Sequence, residues 1–158
     1  MKCFFKMLAT AAAGWLAFNL AMLLTFRLIG FGGDGHGVLL NPQAQSAKLI
    51  AVWTQIEPLP LIVAKPQIII LGLFGFAFLQ ALTYRLLSPA WPQGIVVRAL
   101  RLAALRFTLT FLFWEFFTPF NQFGEPLPLI GLELVFWAVV ALAESFAIAG
   151  TAEKLWSR

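Results

Sequence analysis

The sequence predicts an all-helical integral membrane protein with four transmembrane helices and a short amphipathic helix in the first loop. Three observations lead to this fold class: the composition, four long apolar runs, and basic residues placed at the ends of those runs. Of the 158 residues, 61% are apolar and 11% are charged. Soluble domains are typically about 45–50% apolar and about 25% charged. Lipid is therefore the expected solvent for much of this surface.

The four apolar runs are each close to the roughly 20 residues that a helix needs to cross the hydrocarbon core. They cover Phe4–Phe26, Pro66–Leu87, Ile95–Phe117 and Leu127–Gly150. The first run is longer than the apolar region of a secretory signal peptide, which is about 7–15 residues. We therefore interpret it as a retained helix, and we assign residues 1–158 to a single transmembrane domain.

The basic residues predict the orientation. The N-terminus, the second loop and the C-terminus carry more of them than the first and third loops. The larger group consists of Lys2, Lys6, Arg85, Arg98, Arg101, Lys154 and Arg158, and the smaller group of Arg27, Lys48 and Lys65. The positive-inside rule then places both termini in the cytoplasm. We expect a multi-pass protein of the bacterial cytoplasmic (inner) membrane.

The first loop is long and contains helix signals after the flexible stretch GFGGDGHG. Asn41 is a suitable N-cap and Pro42 a suitable first helical residue. The sequence predicts a helix over Pro42–Glu57, with an apolar face that leaves Gln45 and Lys48 exposed. The apolar residues of that face are Ala47, Ile50, Trp53 and Ile56. Two placements fit equally well: on the outer membrane surface, or packed over the ends of the spans.

The second and third loops, SPAWPQG and TPFNQFGEPLP, are short and rich in turn residues. They predict a tight hairpin of the second and third spans, and close packing of the third and fourth spans. Small residues recur within the spans and would let helices approach closely in lipid. They are Ala9, Ala13, Ala17, Ala21, Gly72, Gly75, Ala77, Ala81, Ala141, Ser145 and Ala149. Packing within one bundle is the expected use, and docking against another subunit is the alternative.

Ionisable residues at membrane depth are the candidate site residues, because they are costly there and usually functional. They are Arg27, Arg98, Arg101, Arg106, Glu115, Glu133 and Glu144. Matched depth on facing helices predicts an ion pair of Glu144 with Arg101, or with Arg98. Arg27, at the end of the first span, is predicted to pair with an interfacial Glu115. Arg106 lies deeper and has no assigned partner.

Most catalytic and cofactor chemistry lacks its residues in this sequence. Cys3 is the only cysteine and His36 the only histidine, which excludes an internal disulfide and a bis-histidine haem. No P-loop or nucleophile-elbow motif is present. The basic residues do not form a stripe on a polar face, which argues against nucleic acid as a partner. We expect no cofactor and no metal site, and an enzyme is the less favoured class.

Two functional hypotheses follow. The favoured one is a non-enzymatic accessory, assembly or lipid-contacting subunit of a larger membrane complex, with lipids and other subunits or a second copy as partners. The alternative is a small proton- or cation-coupled transporter, monomeric or dimeric, that uses Glu115 or Glu133. The small-residue stripes favour the first hypothesis, and the intramembrane carboxylates favour the second.

Overall fold

The computed structural model describes residues 2–33 and 35–156, and Arg158, one of the basic residues that predict the orientation, lies outside them. This part of the chain is helical and has no strand. Helix α1 (Lys2–Met22) continues as π-helical turns over Leu23–Gly30, and the first loop contains α2 (Ala47–Thr54) and α3 (Leu61–Ala64). The remaining helices are α4 (Pro66–Leu87), α5 (Ile95–Arg106), α6 (Phe113–Glu115), α7 (Asn121–Phe123) and α8 (Leu127–Trp156).

Three helices are long and apolar enough to cross a membrane. They cover Lys2–Gly30, Pro66–Ala90 and Leu127–Trp156, with 29, 25 and 30 residues. The predicted third span lies in a continuous helical run over residues 95–123, in which π-helical turns join α5, α6 and α7. This run is equally long, but its first part carries Arg98, Arg101 and Arg106 and is therefore less apolar.

Helix α8 packs mainly against α1 and α5, and α4 packs on α1. Ala141, Ser145 and Ala149 of α8 are all buried, as the small-residue pattern predicts. In α1 the closest approach to α8 is at Gly14, and not at the predicted row of alanines, Ala9, Ala13, Ala17 and Ala21. A Cβ atom on Gly14 would lie 2.7 Å from Ile148 Cγ1. Small residues therefore set the distance between α1 and α8.

Two predictions about neighbouring elements need correction. Helices α4 and α5 are joined by a short segment (residues 88–94) but do not pack closely along their length, so the tight hairpin is not formed. The helix in the first loop is shorter than predicted. It begins after Ser46, whose hydroxyl accepts a hydrogen bond from the Leu49 amide at 3.2 Å, and not after Asn41.

The first loop packs against the turn between α7 and α8. Ser46 Oγ donates to the Phe123 carbonyl at 2.8 Å, and Lys48 Nζ donates to the Gln122 carbonyl. Gln45, predicted to be exposed, is buried, whereas Ile56 of the predicted apolar face is exposed. Of the two placements considered, the one packed over the helix ends is therefore observed.

The bundle has two ends. We call the end with Lys2, Leu87, Ile95 and Trp156 the terminal end, and the end with Gly30, Pro66, Phe123 and Leu127 the loop end. At the terminal end, Cys3 of α1 contacts Arg85 of α4, and Arg98 of α5 pairs with Glu153 of α8. The predicted asymmetry of basic residues is thus an asymmetry between the two ends of the bundle.

Candidate functional site

Three buried glutamates converge at the loop end, and we call them the carboxylate cluster: Glu115, Glu125 and Glu133. One carboxylate oxygen of each lies within 4.8 Å of the others. Their relative exposures are 1%, 1% and 9%. Such close approach of three buried acids is unusual, because buried charges are normally paired or metal-bound.

Three different segments bring these side chains together. Glu115 lies in α6, between two π-helical segments, and Glu133 lies near the start of α8. Glu125 lies in the turn between them, which Gly124 shapes by adopting a left-handed conformation with φ of 64°. A residue other than glycine is disfavoured in that conformation. The turn folds Glu125 back onto the bundle, where its amide donates to the Pro119 carbonyl at 3.1 Å.

In Glu115 and Glu125, one carboxylate oxygen accepts a hydrogen bond and the other does not. Trp137 Nε1 donates to Glu115 Oε1, and Gln45 Nε2 donates to Glu125 Oε1. Gln45 Nε2 also donates to the Leu39 carbonyl at 3.1 Å, which fixes the side chain between the loop and the cluster. The second oxygens, Oε2 of Glu115 and of Glu125, are buried and have no hydrogen-bond partner.

No arginine or lysine of the described ranges forms an ion pair with the cluster. Like charges at this separation repel strongly where the dielectric constant is low. Burial raises the pKa of Glu125, the hydrogen bond from Gln45 lowers it, and the neighbouring Glu115 carboxylate raises it further. The cluster therefore has the chemistry of a site that takes up protons or a cation to reduce its negative charge.

Aromatic residues surround the Glu115 side of the cluster. The Trp137 indole that holds Glu115 stacks on Phe111 with ring centroids 4.3 Å apart and lies 4.5 Å from the Phe26 ring. These rings exclude water from the helix interfaces on that side. The first loop covers the other side through Gln45.

A second polar level lies deeper in the bundle, where Arg106 of α5 forms an ion pair with Glu144 of α8. The two side chains are each 1% exposed. The guanidinium carbon of Arg106 lies 4.9, 4.9 and 5.0 Å from the ring centres of Phe18, Phe76 and Phe111. In contrast to the carboxylate cluster, this level combines one positive and one negative group.

The predicted pairing of Glu144 with Arg101 or Arg98 is therefore wrong. Arg101 is exposed, and Arg98 pairs with Glu153 at the terminal end. The error has two geometric causes. Helix α8 continues to Trp156, six residues beyond the predicted end at Gly150, so Glu144 lies about 9 Å deeper than predicted, level with Arg106. The predicted face of α5 is also wrong. At about 100° per residue, Glu115 and Arg106 would lie on opposite sides of a regular α-helix. The wider π-helical turns over Phe107–Leu112 change the register, so that both point inward.

The predicted contact between Arg27 and Glu115 is also absent. Arg27 donates to the carbonyls of Gly32 and Gly33 in its own loop, at 3.1 and 3.4 Å. Glu115 is only 1% exposed, and its carboxylate accepts a hydrogen bond from Trp137 instead of pairing with Arg27. The π-helical turns extend the first helix to Gly30 and keep Arg27 on its exposed side.

Sequence reasoning missed four residues that join these networks. Gln45 and Glu125 were assigned to a surface helix and a turn, and no periodic pattern links them to the spans. Tyr84 and Glu153 form a network with Arg98, in which the tyrosine hydroxyl donates to Glu153 Oε1 at 2.8 Å. The expectation of no metal site rests on the scarcity of histidine and cysteine, which gives no information on glutamates from three segments.

Comparisons with protein-family models, curated proteins and solved structures give no significant match to this chain. Its function has to be inferred from the residues themselves.

Proposed function

We propose that this chain is a membrane protein with four spanning helices that moves protons or a small cation across the bilayer through its carboxylate cluster. This is the second of the two hypotheses drawn from the sequence. The observation that carries it is the convergence of Glu115, Glu125 and Glu133 within 4.8 Å, with two buried oxygens unpaired. Ionisable groups at membrane depth typically mark ion pathways and proton relays.

The packing supports a membrane location. Large apolar side chains cover the outside of the long helices and would be unfavourable in water. Examples with more than half of their surface exposed are Leu16, Leu20, Leu71, Leu79, Leu109 and Val135. Three helices meet the length and composition of a membrane span.

The arginines of α5 do not argue against a fourth span. Arg106 is neutralised inside the bundle by Glu144. Arg98 and Arg101 lie near the terminal end, where long basic side chains reach the aqueous interface. With the basic residues at that end, the positive-inside rule places both termini in the cytoplasm. Fusing a reporter that is active only in the cytoplasm to each terminus tests this, and an inactive reporter at either end would contradict it.

Transport can be tested with purified protein in vesicles that contain a pH-sensitive dye. We expect proton flux above that of protein-free vesicles, and its loss in Glu115→Gln and Glu133→Gln, which keep the shape of the side chain but cannot ionise. Glu57→Gln, an exposed glutamate of the first loop, is the matched control. Repeating the assay with and without a Na⁺ gradient separates proton from cation coupling. Flux unchanged in both cluster variants would refute the proposal.

The accessory-subunit hypothesis remains a second candidate because of the outer face of α4. Only 17% of the residues in the most apolar stretch of this helix are buried, and open space surrounds the Cβ positions of Gly72 and Gly75. Such a small-residue face suits close packing by another membrane helix. Purification in mild detergent from native membranes distinguishes the two: a stoichiometric partner protein that is lost in Gly75→Leu would favour this candidate.

A further inference from the structure

A basic pocket lies at the terminal end of the bundle, far from the carboxylate cluster. Its volume is about 340 Å³, and we call it the basic pocket after its lining residues, Lys2, Cys3, Lys6, Arg85 and Trp156. Three of the five are cations and none is an acid. Among the residues that the structure describes, neither lysine nor Arg85 forms an ion pair with a carboxylate. Their positive charge is therefore available to a ligand.

The arginine is held in place at the wall of this pocket. Arg85 donates to Cys3 Sγ, and its guanidinium carbon lies 5.1 Å from the centre of the Trp156 ring. These contacts tie the end of α4 to the ends of α1 and α8. Lys2 and Lys6 are four residues apart and so lie on one face of α1. Two helix ends, those of α1 and α4, thus supply three cations to one cavity, and the end of α8 supplies the Trp156 ring.

We propose that the basic pocket binds the phosphate head group of an anionic phospholipid. Arginine and lysine together are the usual ligands for a phosphate, because they combine charge with several N–H donors. Basic pockets between membrane helices on the cytoplasmic side are known to take lipid head groups. The proposal rests on the proposed membrane location and orientation, but not on transport by the carboxylate cluster.

Exposed apolar residues at the same helix ends as the pocket favour a lipid over a soluble phosphate. Phe4, Phe5 and Leu86 are 59%, 64% and 69% exposed, and they neighbour the basic residues in sequence. In a bilayer these exposed side chains would contact acyl chains close to the level of a head group in the pocket. A soluble phosphate would gain nothing from them.

Native mass spectrometry of the full chain in a zwitterionic detergent tests the proposal by titration with phosphatidylglycerol, phosphatidylcholine or inorganic phosphate. We expect phosphatidylglycerol to bind more tightly than phosphatidylcholine. One basic residue at an anionic surface contributes roughly fivefold in affinity. Arg85→Gln should therefore weaken binding about fivefold, and the triple variant with Lys2→Gln and Lys6→Gln about a hundredfold.

Arg101→Gln is the matched control, because Arg101 is also exposed but lies in a groove with Leu87, Trp91, Ala104, Leu105, Thr108 and Leu109. It should bind phosphatidylglycerol as the unmodified chain does. Equal affinity for both lipids, or equal weakening by Arg101→Gln and Arg85→Gln, would overturn the proposal. Tight binding of inorganic phosphate with no advantage for the lipid would assign the pocket to a soluble ligand and also overturn it. Glu133→Gln should leave lipid binding unchanged, which separates this proposal from that of transport.

Discussion

Replacing Glu144 by glutamine removes the negative member of a fully buried ion pair. The Arg106 guanidinium would then stay in a site where 1% of its side chain is exposed, without a counter-charge. Breaking a buried pair from one side typically costs about 3–5 kcal/mol. The three aromatic rings within 5.0 Å of Arg106 remain, and each cation–π contact contributes roughly 0.5–2 kcal/mol. We therefore expect a loss of about 3 kcal/mol, at the lower end of that range.

The loss is measurable as a change in thermal stability. At roughly 2–4 °C per kcal/mol for a chain of this size, Glu144→Gln should lower Tm by about 6–12 °C. Arg106→Gln should cost at least as much, because it leaves the Glu144 carboxylate buried and also removes the cation–π contacts. The double variant should be more stable than either single variant, since two neutral amides replace the pair. Circular dichroism of the detergent-solubilised protein during heating follows all three variants.

Arg101→Gln is the control for this cycle, because helical spacing predicted Arg101 as the partner and the structure places it on the surface. Surface substitutions usually change stability by no more than about 0.5 kcal/mol. Its Tm should therefore stay close to that of the unmodified chain. Simple additivity of the Arg106 and Glu144 variants would show that the two side chains do not interact. Rescue of Glu144→Gln by Arg101→Gln would establish the pairing that the structure contradicts.

Three further predictions concern the cluster, the loop and the helix contact. The raised pKa of Glu125 means that the folded chain binds its proton more tightly than the unfolded chain. The contribution of Glu125 to stability should therefore be complete below about pH 4, near the ordinary value for glutamate, and be lost as the pH rises through the raised pKa. Glu125→Gln should remove this contribution to the pH dependence of Tm, and an unchanged slope would contradict it. The second prediction uses single cysteines in a Cys3→Ser background. A cysteine at buried Gln45 should be protected from a membrane-impermeant thiol reagent, whereas a cysteine at exposed Gln43 should react. Equal labelling of the two would show that the loop does not pack on the bundle. The third prediction is that Gly14→Leu lowers the free energy of unfolding by about 1–3 kcal/mol or more, because the larger side chain forces α1 away from Ile148. Gly75→Leu is the control. Open space surrounds its Cβ position, so the Tm of the isolated chain should be nearly unchanged.

The long helices could be predicted from local sequence alone. The apolar run predicted over Pro66–Leu87 coincides with α4, and the run predicted from Leu127 begins where α8 begins. Proline at the first helical position and uninterrupted apolar residues are local signals, and they need no knowledge of the fold. The burial of Ala141, Ser145 and Ala149 also follows their spacing of four residues, but the same spacing in α1 does not locate its contact with α8, which is at Gly14.

The polar contacts could not be predicted in the same way. Their assignment assumed a regular helix from Ile95 to Phe117, and π-helical turns over Phe107–Leu112 break that assumption. The contact of Gln45 with Glu125 joins segments that are eighty residues apart in sequence. Neither residue belongs to a periodic pattern, and the turn at Gly124 determines where Glu125 points. Tertiary structure, and not local sequence, therefore creates the candidate site.

The two polar levels of the bundle differ in a way that bears on function. Arg106 and Glu144 neutralise each other and stabilise the contact between α5 and α8, so a neutral replacement of one should weaken the fold. The carboxylate cluster has no such partner within the described residues, and its charges oppose each other. Replacing Glu133 by glutamine should therefore raise Tm at neutral pH or leave it unchanged, while it abolishes flux in vesicles. Stability gained at the expense of activity is typical of functional sites. If Glu133→Gln instead lowers Tm as much as Glu144→Gln does, with flux intact, the cluster has a structural role and the proposed transport function is wrong.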